Sequence, residues 1–554
     1  MRTERRVNRL QARAKRPRVR AVLGSLLLGL WAVGLLVSLG ASQGETVPQI
    51  RMAIPADERT LTPYTYNTGF PGYNILSLLY DTLLLIDADG VPQPWLAESV
   101  EVSDDGLTWT FTLREGIRWQ DGQPLTAADV KFSYEYFQQN PHGRFTPEAN
   151  VVSAIEIPDE RTVVMRLEAP NPIFDSRTLA DVPILPKHIW EGVEDPNAFD
   201  NALGSGPYRL VQYEPDQFYR LEANRDYFAG QPVTDVLILP IIKDPTATFS
   251  ALKAGQIDVS ARELTPELVE EFEATPGVAV VTGPGFASTL VQFNLEREPF
   301  DNAEFRRIVA GLIDYEQLVE TLLLGRGTLG SPGFLHPALP FYNEGLMGYE
   351  RLTAEEAGQR LEALGFRDTD GDGIREFPDG RPLEFVFLAQ SDNPIRLRAA
   401  ELISQSLRAA GIAFNVRALD RDTIVSLVWP DFDVCKGRDF EVSMWGWSAP
   451  VQSRTLVQQL FHSDCRVGTL NIGGYRNPEL DALLDEQAVT VDREARKQLL
   501  DRVQEVIAQD LPFITLFYPD RLFGYRPEVY DGWVFQVGEG IINKLSLVRQ
   551  ELIR

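Results

Sequence analysis

"LAESVEVSDDGLTWTFTLREGIRWQDGQPLTAADVKFSYEYF" occupies residues 96–137 and carries both periodicities of a mixed fold. In "LTWTFTL" (107–113) apolar and polar residues alternate. That two-residue period predicts a strand with Leu107, Trp109, Phe111 and Leu113 facing a core and the threonines facing water. Further on, Thr126 stands three residues before Asp129, the spacing of a capping box. Val130, Tyr134 and Phe137 then fall on one helical stripe. Strand and helix within forty residues place this region in the α/β class.

The same mixture extends outward in both directions. "TDVLILPII" (234–242) is a continuous apolar run, as in a central strand covered on both faces. Asp301 with Glu304 opens a helix with Phe305, Ile308, Val309 and Leu312 inward. Asp314 with Gln317 opens another, stopped by Gly325. Thr353 and Glu356 form a capping box before Ala357, Leu361 and Leu364, and Gly365 ends that helix. Asn477-Pro478 begins a helical stretch that reaches Leu511, read as two helices broken near 489–492. A single hydrophobic core stops growing at about 250–300 residues. The 554 residues therefore imply two or three domains.

Net charge is −26, although the first twenty residues carry nine Lys/Arg and one Glu. So acidic a body lacks the cationic surface that nucleic-acid phosphates require. The basic start is followed by "AVLGSLLLGLWAVGLLVSLG" (21–40), an uncharged apolar run, and then by small residues. This is the pattern of an export signal, with cleavage expected near 40–42. Its length of about 20 residues also suits a retained membrane anchor, the alternative reading. No cysteine follows the run, so a lipoprotein is not expected, and the positive-inside rule places the body outside the cytoplasm. The two cysteines, Cys435 and Cys465, are expected to pair in that compartment.

Catalytic signatures are missing. His142, His188, His336 and His462 have no metal-binding helical spacing and read as loop or element-end residues. There is no nucleophile elbow and no phosphate-cradling loop. "GRGTLG" (325–330) fits G-x-G-x-x-G, but a helix precedes it where a strand is needed. A binding protein is therefore expected, not an enzyme. Its cleft is sought among aromatics with a few polar neighbours: Trp445 and Trp447 in "SMWGWSAP" (443–450), Tyr64 and Asn67 in "LTPYTYNTGF" (61–70), and Tyr518 and Arg521 in "ITLFYPDRLFGY" (514–525). Core packing is the competing reading for each aromatic.

"RDTDGDGIREFPDG" (367–380) begins as calcium loops do. Asp368, Asp370, Asp372, the Ile374 carbonyl and Glu376 or Asp379 offer the hard oxygens that Ca²⁺ takes. The loop joins a helix to a strand, and its twelfth position is Asp379 instead of a bidentate Glu, so the match to an EF-hand is partial. A structural Ca²⁺ is the expectation, and an ion-free Asp/Gly turn is the alternative. No other cofactor is expected.

Several stretches together resemble the extracellular solute-binding proteins of ABC importers, of the oligopeptide/dipeptide-binding type (bacterial family 5). They are the block 96–137, "GSGPYRL" (204–210), "VQFNLEREPFDNAEFRRIVAGLIDYEQLV" (291–319), "WGW" and "LPFITLFY". The resemblance implies a two-lobed, periplasmic-binding-protein-like α/β fold with hinge strands and an extra subdomain. The signal or anchor would be 1–44, lobe I 47–79, 204–285 and 511–554, the subdomain 80–203, and lobe II 286–510. It also implies a monomer that closes on a peptide-like ligand and presents it to a membrane permease. An oligosaccharide or other solute is the alternative, and an exported hydrolase a more distant one. In peptide-binding relatives an aspartate three residues after the tryptophan matching Trp447 holds the ligand's ammonium. Here that position is Pro450, so an acid from elsewhere, such as Asp439 or Glu441, would have to serve.

Overall fold

A computed structural model describes residues 46–66, 70–447 and 456–549. The export segment, Asn67 and Pro450 lie outside the described residues. Among those described, no helix is long and apolar enough to cross a membrane.

Two sheets organise the chain. The first runs Ala279–Gly283, Arg521–Tyr525, Val259–Ser260, Val47–Ala53, Thr234–Pro240, Phe218–Ala223, Tyr208–Glu214. Val47–Ala53 lies at its centre, parallel to both neighbours. The second runs Gly327–Leu329, Phe513–Pro519, Thr289–Phe293, Val442–Trp445, Glu384–Gln390, Ala413–Leu419. Separate hydrophobic cores cover this second sheet, one containing Phe300, Phe305 and Phe387, the other Phe461, Leu484 and Phe513.

The subdomain is a four-stranded antiparallel sheet of Ala97–Val102, Thr108–Leu113, Thr162–Leu167 and Val152–Glu156. Trp109, Phe111 and Leu113 point inward as the alternation predicts, while Leu107 precedes the strand and is half-buried. The capping box forms at Thr126, and the helix Ala127–Gln139 buries Val130, Tyr134 and Phe137. This subdomain and the first sheet share one continuous core. Gly204 joins them, because a side chain there would run into the Leu79 carbonyl at 2.0 Å.

Among the described residues the chain crosses between the sheets twice. It leaves the first at Gly283 and enters the second at Thr289; it returns between Pro519 and Arg521 through Asp520 alone. Gly283 pairs with Arg521 and Thr289 with Phe517, so the crossings run side by side. A Cβ on Gly285 would come within 2.4 Å of the Pro519 carbonyl oxygen. Two adjacent short crossings are what a hinge between lobes requires.

Two sequence expectations need correction. Phe513–Pro519, assigned above to lobe I, is a buried strand of the lobe II sheet. The run 513–525 is nearly continuous in sequence and changes sheets at Asp520, a change that hydrophobicity alone does not mark. The second helix is capped by Asn302, not Asp301; its Oδ1 accepts from the amides of Glu304 and Phe305 at 2.8 and 3.4 Å. Cys435 and Cys465 are disulfide-bonded, with Cα atoms 5.4 Å apart. The closed loop contains the strand Val442–Trp445.

Candidate functional site

A cleft of about 690 Å³ opens beside the crossings. It is lined by Tyr73 and Asn74 of lobe I, by Tyr80, Arg144 and Asp181 of the subdomain, and by Phe286 and Asp520 of the crossings. A smaller cavity of about 120 Å³ shares Ser176, Phe286 and Val537 with it. Leu335, Leu339, Phe341 and Leu500 of lobe II close that second space. The two cavities therefore adjoin, one walled by lobe I and the subdomain and the other partly by lobe II. Concave, largely apolar space with a few fixed polar groups is the usual form of a small-ligand site.

The lobe I wall is held by buried charge pairs. Arg144 forks onto Asp181, Nε to Oδ2 at 2.9 Å and Nη2 to Oδ1 at 2.5 Å, and lies 3.7 Å over the Tyr73 ring. Lys544 is ion-paired with Asp81 and donates to the Tyr80 carbonyl at 3.0 Å. Burial pushes the Lys544 ammonium below its ordinary pKa, against the pull of Asp81. Asp81 also accepts from Trp95 Nε1 at 2.9 Å, Tyr227 OH at 2.6 Å and Ser205 Oγ at 2.8 Å. With so many donors the buried carboxylate is compensated, the condition under which a buried charge is tolerated.

Lobe II carries three parallel strands, Glu384–Gln390, Ala413–Leu419 and Val442–Trp445, whose carboxyl ends share one edge of the sheet, although none of their residues lines either cavity. In open α/β sheets that edge faces ligands. Arg396, in the first turn of the helix Pro394–Arg408, donates Nη1 to Gln390 Oε1 at 3.0 Å and lies against Gly446. Its buried Nε has no acceptor among the described residues, and burial lowers its pKa. Trp447 donates its amide to Ser288 Oγ at 3.2 Å and accepts the Ser288 amide at 2.9 Å, which ties it to the crossing. Its ring meets Trp429 and Trp445 edge-on, with centroids 5.9 and 5.8 Å apart. Among the described residues none of the three buried indole N–H groups has an acceptor.

The structure sorts the sequence candidates. Arg521 does line the cleft, but its guanidinium is committed: Nη2 to Glu263 at 2.7 Å, Nη1 to the Glu539 and Gly538 carbonyls at 2.6 and 3.1 Å. It lies 4.4 Å over the Phe70 ring. Tyr518 is in the lobe II interior, its hydroxyl donating to the Phe334 carbonyl. Tyr64 is in the subdomain core, stacked on Phe137 and bonded to the Asn140 carbonyl at 2.7 Å. Neither reaches the cleft, because each hydroxyl is satisfied by local backbone within a core. Trp445 is buried in the lobe II core, and neither it nor Trp447 is among the residues lining the larger cleft.

Asp439 and Glu441 are also spent elsewhere, Asp439 on Arg297 at 2.9 Å and Glu441 on the Val386 amide at 2.6 Å. His142 and His336 are held down to about 4 by burial, and each accepts a backbone amide through Nδ1. Sequence reasoning passed over Tyr73, Arg144, Asp181 and Glu539, which carry no local motif.

In the Asp-rich loop, Asp368, Asp370, Asp372 and Glu376 each place one oxygen within 4.8 Å of the others. Asp368 accepts the amides of Gly371 and Gly373 at 2.6 and 3.1 Å, and Asp372 that of Ile374 at 2.7 Å. Glu376 is drawn in by a bridge to Arg367 and by Thr369, whose amide and hydroxyl both donate to it at 2.7 Å. Asp379 is turned away onto Arg381 Nε at 2.7 Å, and that contact lowers its pKa. Of the two alternatives for the last ligand, the geometry brings in Glu376 and leaves Asp379 out.

A sequence model of the bacterial extracellular solute-binding proteins, family 5 (middle), matches residues 91–465. The oligopeptide-binding protein AppA of Bacillus subtilis is 26% identical over 496 residues, 88% of this chain and 89% of that one. The crystal structure of NikZ from Campylobacter jejuni in complex with Ni(L-His) superposes with a TM-score of 0.66 at 25% identity, covering 87% of this chain and 94% of that one. The ABC transporter substrate-binding protein CtaP of Listeria monocytogenes has the same fold, with a TM-score of 0.76 at 24% identity, covering 91% and 100%.

Proposed function

This chain belongs to the bacterial extracellular solute-binding proteins of family 5, and we propose that its cleft captures a small peptide-like solute and delivers it to a membrane permease. The observation that carries this reading is the pair of adjoining cavities between two lobes joined by paired crossings at 284–288 and 520. A ligand that touches both walls favours closure by the difference between its affinities for the closed and open forms. The peptide class is supported by the likeness to an oligopeptide-binding protein along most of both chains. The sugar alternative is not taken up: it needs a tryptophan stacking platform, and the larger cleft is not lined by Trp445 or Trp447.

The test is native mass spectrometry of the purified full chain, followed by thermal melts with a randomised tripeptide library. A co-purifying solute, or stabilisation without product formation, supports capture. Saturable turnover of the library would sink it in favour of a hydrolase.

We also propose that the loop 368–376 takes Ca²⁺ as a structural tie, through Asp368, Asp370, Asp372, Glu376 and the Ile374 carbonyl. The convergence of four carboxylates on one small volume supports it. An extracellular loop needs only weak affinity to fill at millimolar calcium.

A further inference from the structure

Among the described residues, the charged side chains lining the larger cleft divide unevenly. Each cation is already held: Arg144 by Asp181, Arg177 by Glu148 at 3.3 Å, Arg521 by Glu263 at 2.7 Å, and Lys544 by Asp81. Once these pairs are set aside, two lining carboxylates remain without an ion-pair partner, Glu539 and Asp520. Arg521 and Arg144 reach Glu539, and Arg326 reaches Asp520, through their field and not through an ion pair. Arg521 passes beside Glu539 but donates to its main-chain oxygen, not to its carboxylate.

Glu539 is also presented rigidly. It sits in a turn in which the amides of Glu539 and Gly540 both donate to the Gln536 carbonyl at 2.9 Å. The Gly538 amide ties that turn to Pro284 in the crossing at 3.2 Å, and the Val537 amide ties it to Ala88 at 2.9 Å. The side chain stays open to the cleft while protein surrounds it, and the enclosure raises its pKa; Asp520 is raised for the same reason. Burial penalises the charge on both carboxylates, and the nearby guanidiniums act on them only through their field without pairing, so a cation arriving with the ligand can make the direct contact they lack.

We propose that Glu539, seconded by Asp520, anchors a cationic group of the bound solute, of the ammonium class, on the lobe I wall beside the hinge. This rests on the capture reading. An ammonium between these carboxylates and the crossings also couples ligand charge to the segment that moves on closure.

The test uses the full chain with two probes: a randomised tripeptide library with free N termini, and the same library N-acetylated. Thermal shift and native mass spectrometry are read for the wild type, Glu539→Gln and Asp520→Asn. The free-amine library is expected to bind the wild type at least tenfold more tightly than the acetylated one, and Glu539→Gln is expected to lose that preference. Asp520→Asn is expected to weaken it. The α-ammonium stays charged below about pH 7.7. Both carboxyls are raised, so as the pH falls they protonate before ordinary carboxylates do; amine binding should weaken with them in the wild type, and less so in Glu539→Gln. Equal response to both libraries, or a preference that survives in well-folded Glu539→Gln, overturns the anchor and leaves capture standing. No response to either library also overturns the anchor. Capture itself falls only if, in addition, no solute co-purifies.

Discussion

On the lobe I side of the cleft, Lys544 is buried against Asp81 and Arg144 against Asp181, and all four residues lie in or directly behind the cavity wall. On the lobe II side the devices that hold the fold stand away from the cavity. The disulfide Cys435–Cys465 and the acidic loop 368–376 contribute no residue to either cavity lining. What lobe II turns towards the crossings is instead an indole cluster and Arg396, whose buried Nε has no acceptor among the described residues. The difference has a consequence. In lobe I the charges that stabilise the fold also shape the site, so a mutation there is felt in both. In lobe II the disulfide and the acidic loop can be changed without touching a cavity wall, although the core residues Leu335, Leu339 and Leu500 line the smaller cavity.

The largest expected effect is Lys544→Met. It leaves Asp81 charged and buried beside neutral donors only, and breaking a buried pair in this way costs about 3–5 kcal/mol. The urea midpoint of the variant should fall accordingly, and the response to the free-amine library should fall with it. A loss below about 1 kcal/mol would mean that the pair behaves as an exposed one, and the contrast between the lobes would collapse.

Next is the disulfide. The bond spans 30 residues, and the chain-entropy model gives about 3–4 kcal/mol for such a loop. The double change Cys435→Ser, Cys465→Ser should cost that much in chemical denaturation. It should leave the preference for free-amine over acetylated peptides unchanged, since that is assigned to lobe I. If the preference disappears with the disulfide, recognition sits in the 435–465 loop and the division between the walls is wrong.

How far this division can be read from the sequence depends on the range of the interactions involved. The capping boxes at Thr126 and Thr353 and the stripe Val130, Tyr134, Phe137 are legible because helical signals act over one to three turns. The pairing of Cys435 with Cys465 is legible because only one pairing exists. Tyr64 and Tyr518 show the limit: aromatic content says that a residue is buried, not which interior receives it. Phe70 and Tyr73, a few residues on from Tyr64, are the ones that reach the cleft. Glu539 is illegible for a different reason. In a chain with 79 Asp and Glu nothing local distinguishes it; what sets it apart is that the nearest guanidinium is committed to Glu263, a residue 276 positions away.

The smallest expected effect concerns the acidic loop, where a motif is legible and the outcome turns on the last ligand. The loop lies between the helix Ala354–Ala363 and the strand Glu384–Gln390 of lobe II. Calcium there should stabilise lobe II without touching recognition. Ligand linkage gives about 1.4 kcal/mol when calcium stands at roughly ten times its dissociation constant. Millimolar Ca²⁺ should therefore raise the melting temperature of the wild type by a few degrees at most, with no change in peptide preference. Asp370→Ala should abolish the rise. Glu376→Gln should abolish it too, while Asp379→Asn should not, because Asp379 is held by Arg381 outside the cluster. An equal calcium response in wild type and Asp370→Ala removes the site. A response lost in Asp379→Asn but kept in Glu376→Gln would restore the EF-hand-like ligand order and require Arg381 to release Asp379 when the ion binds.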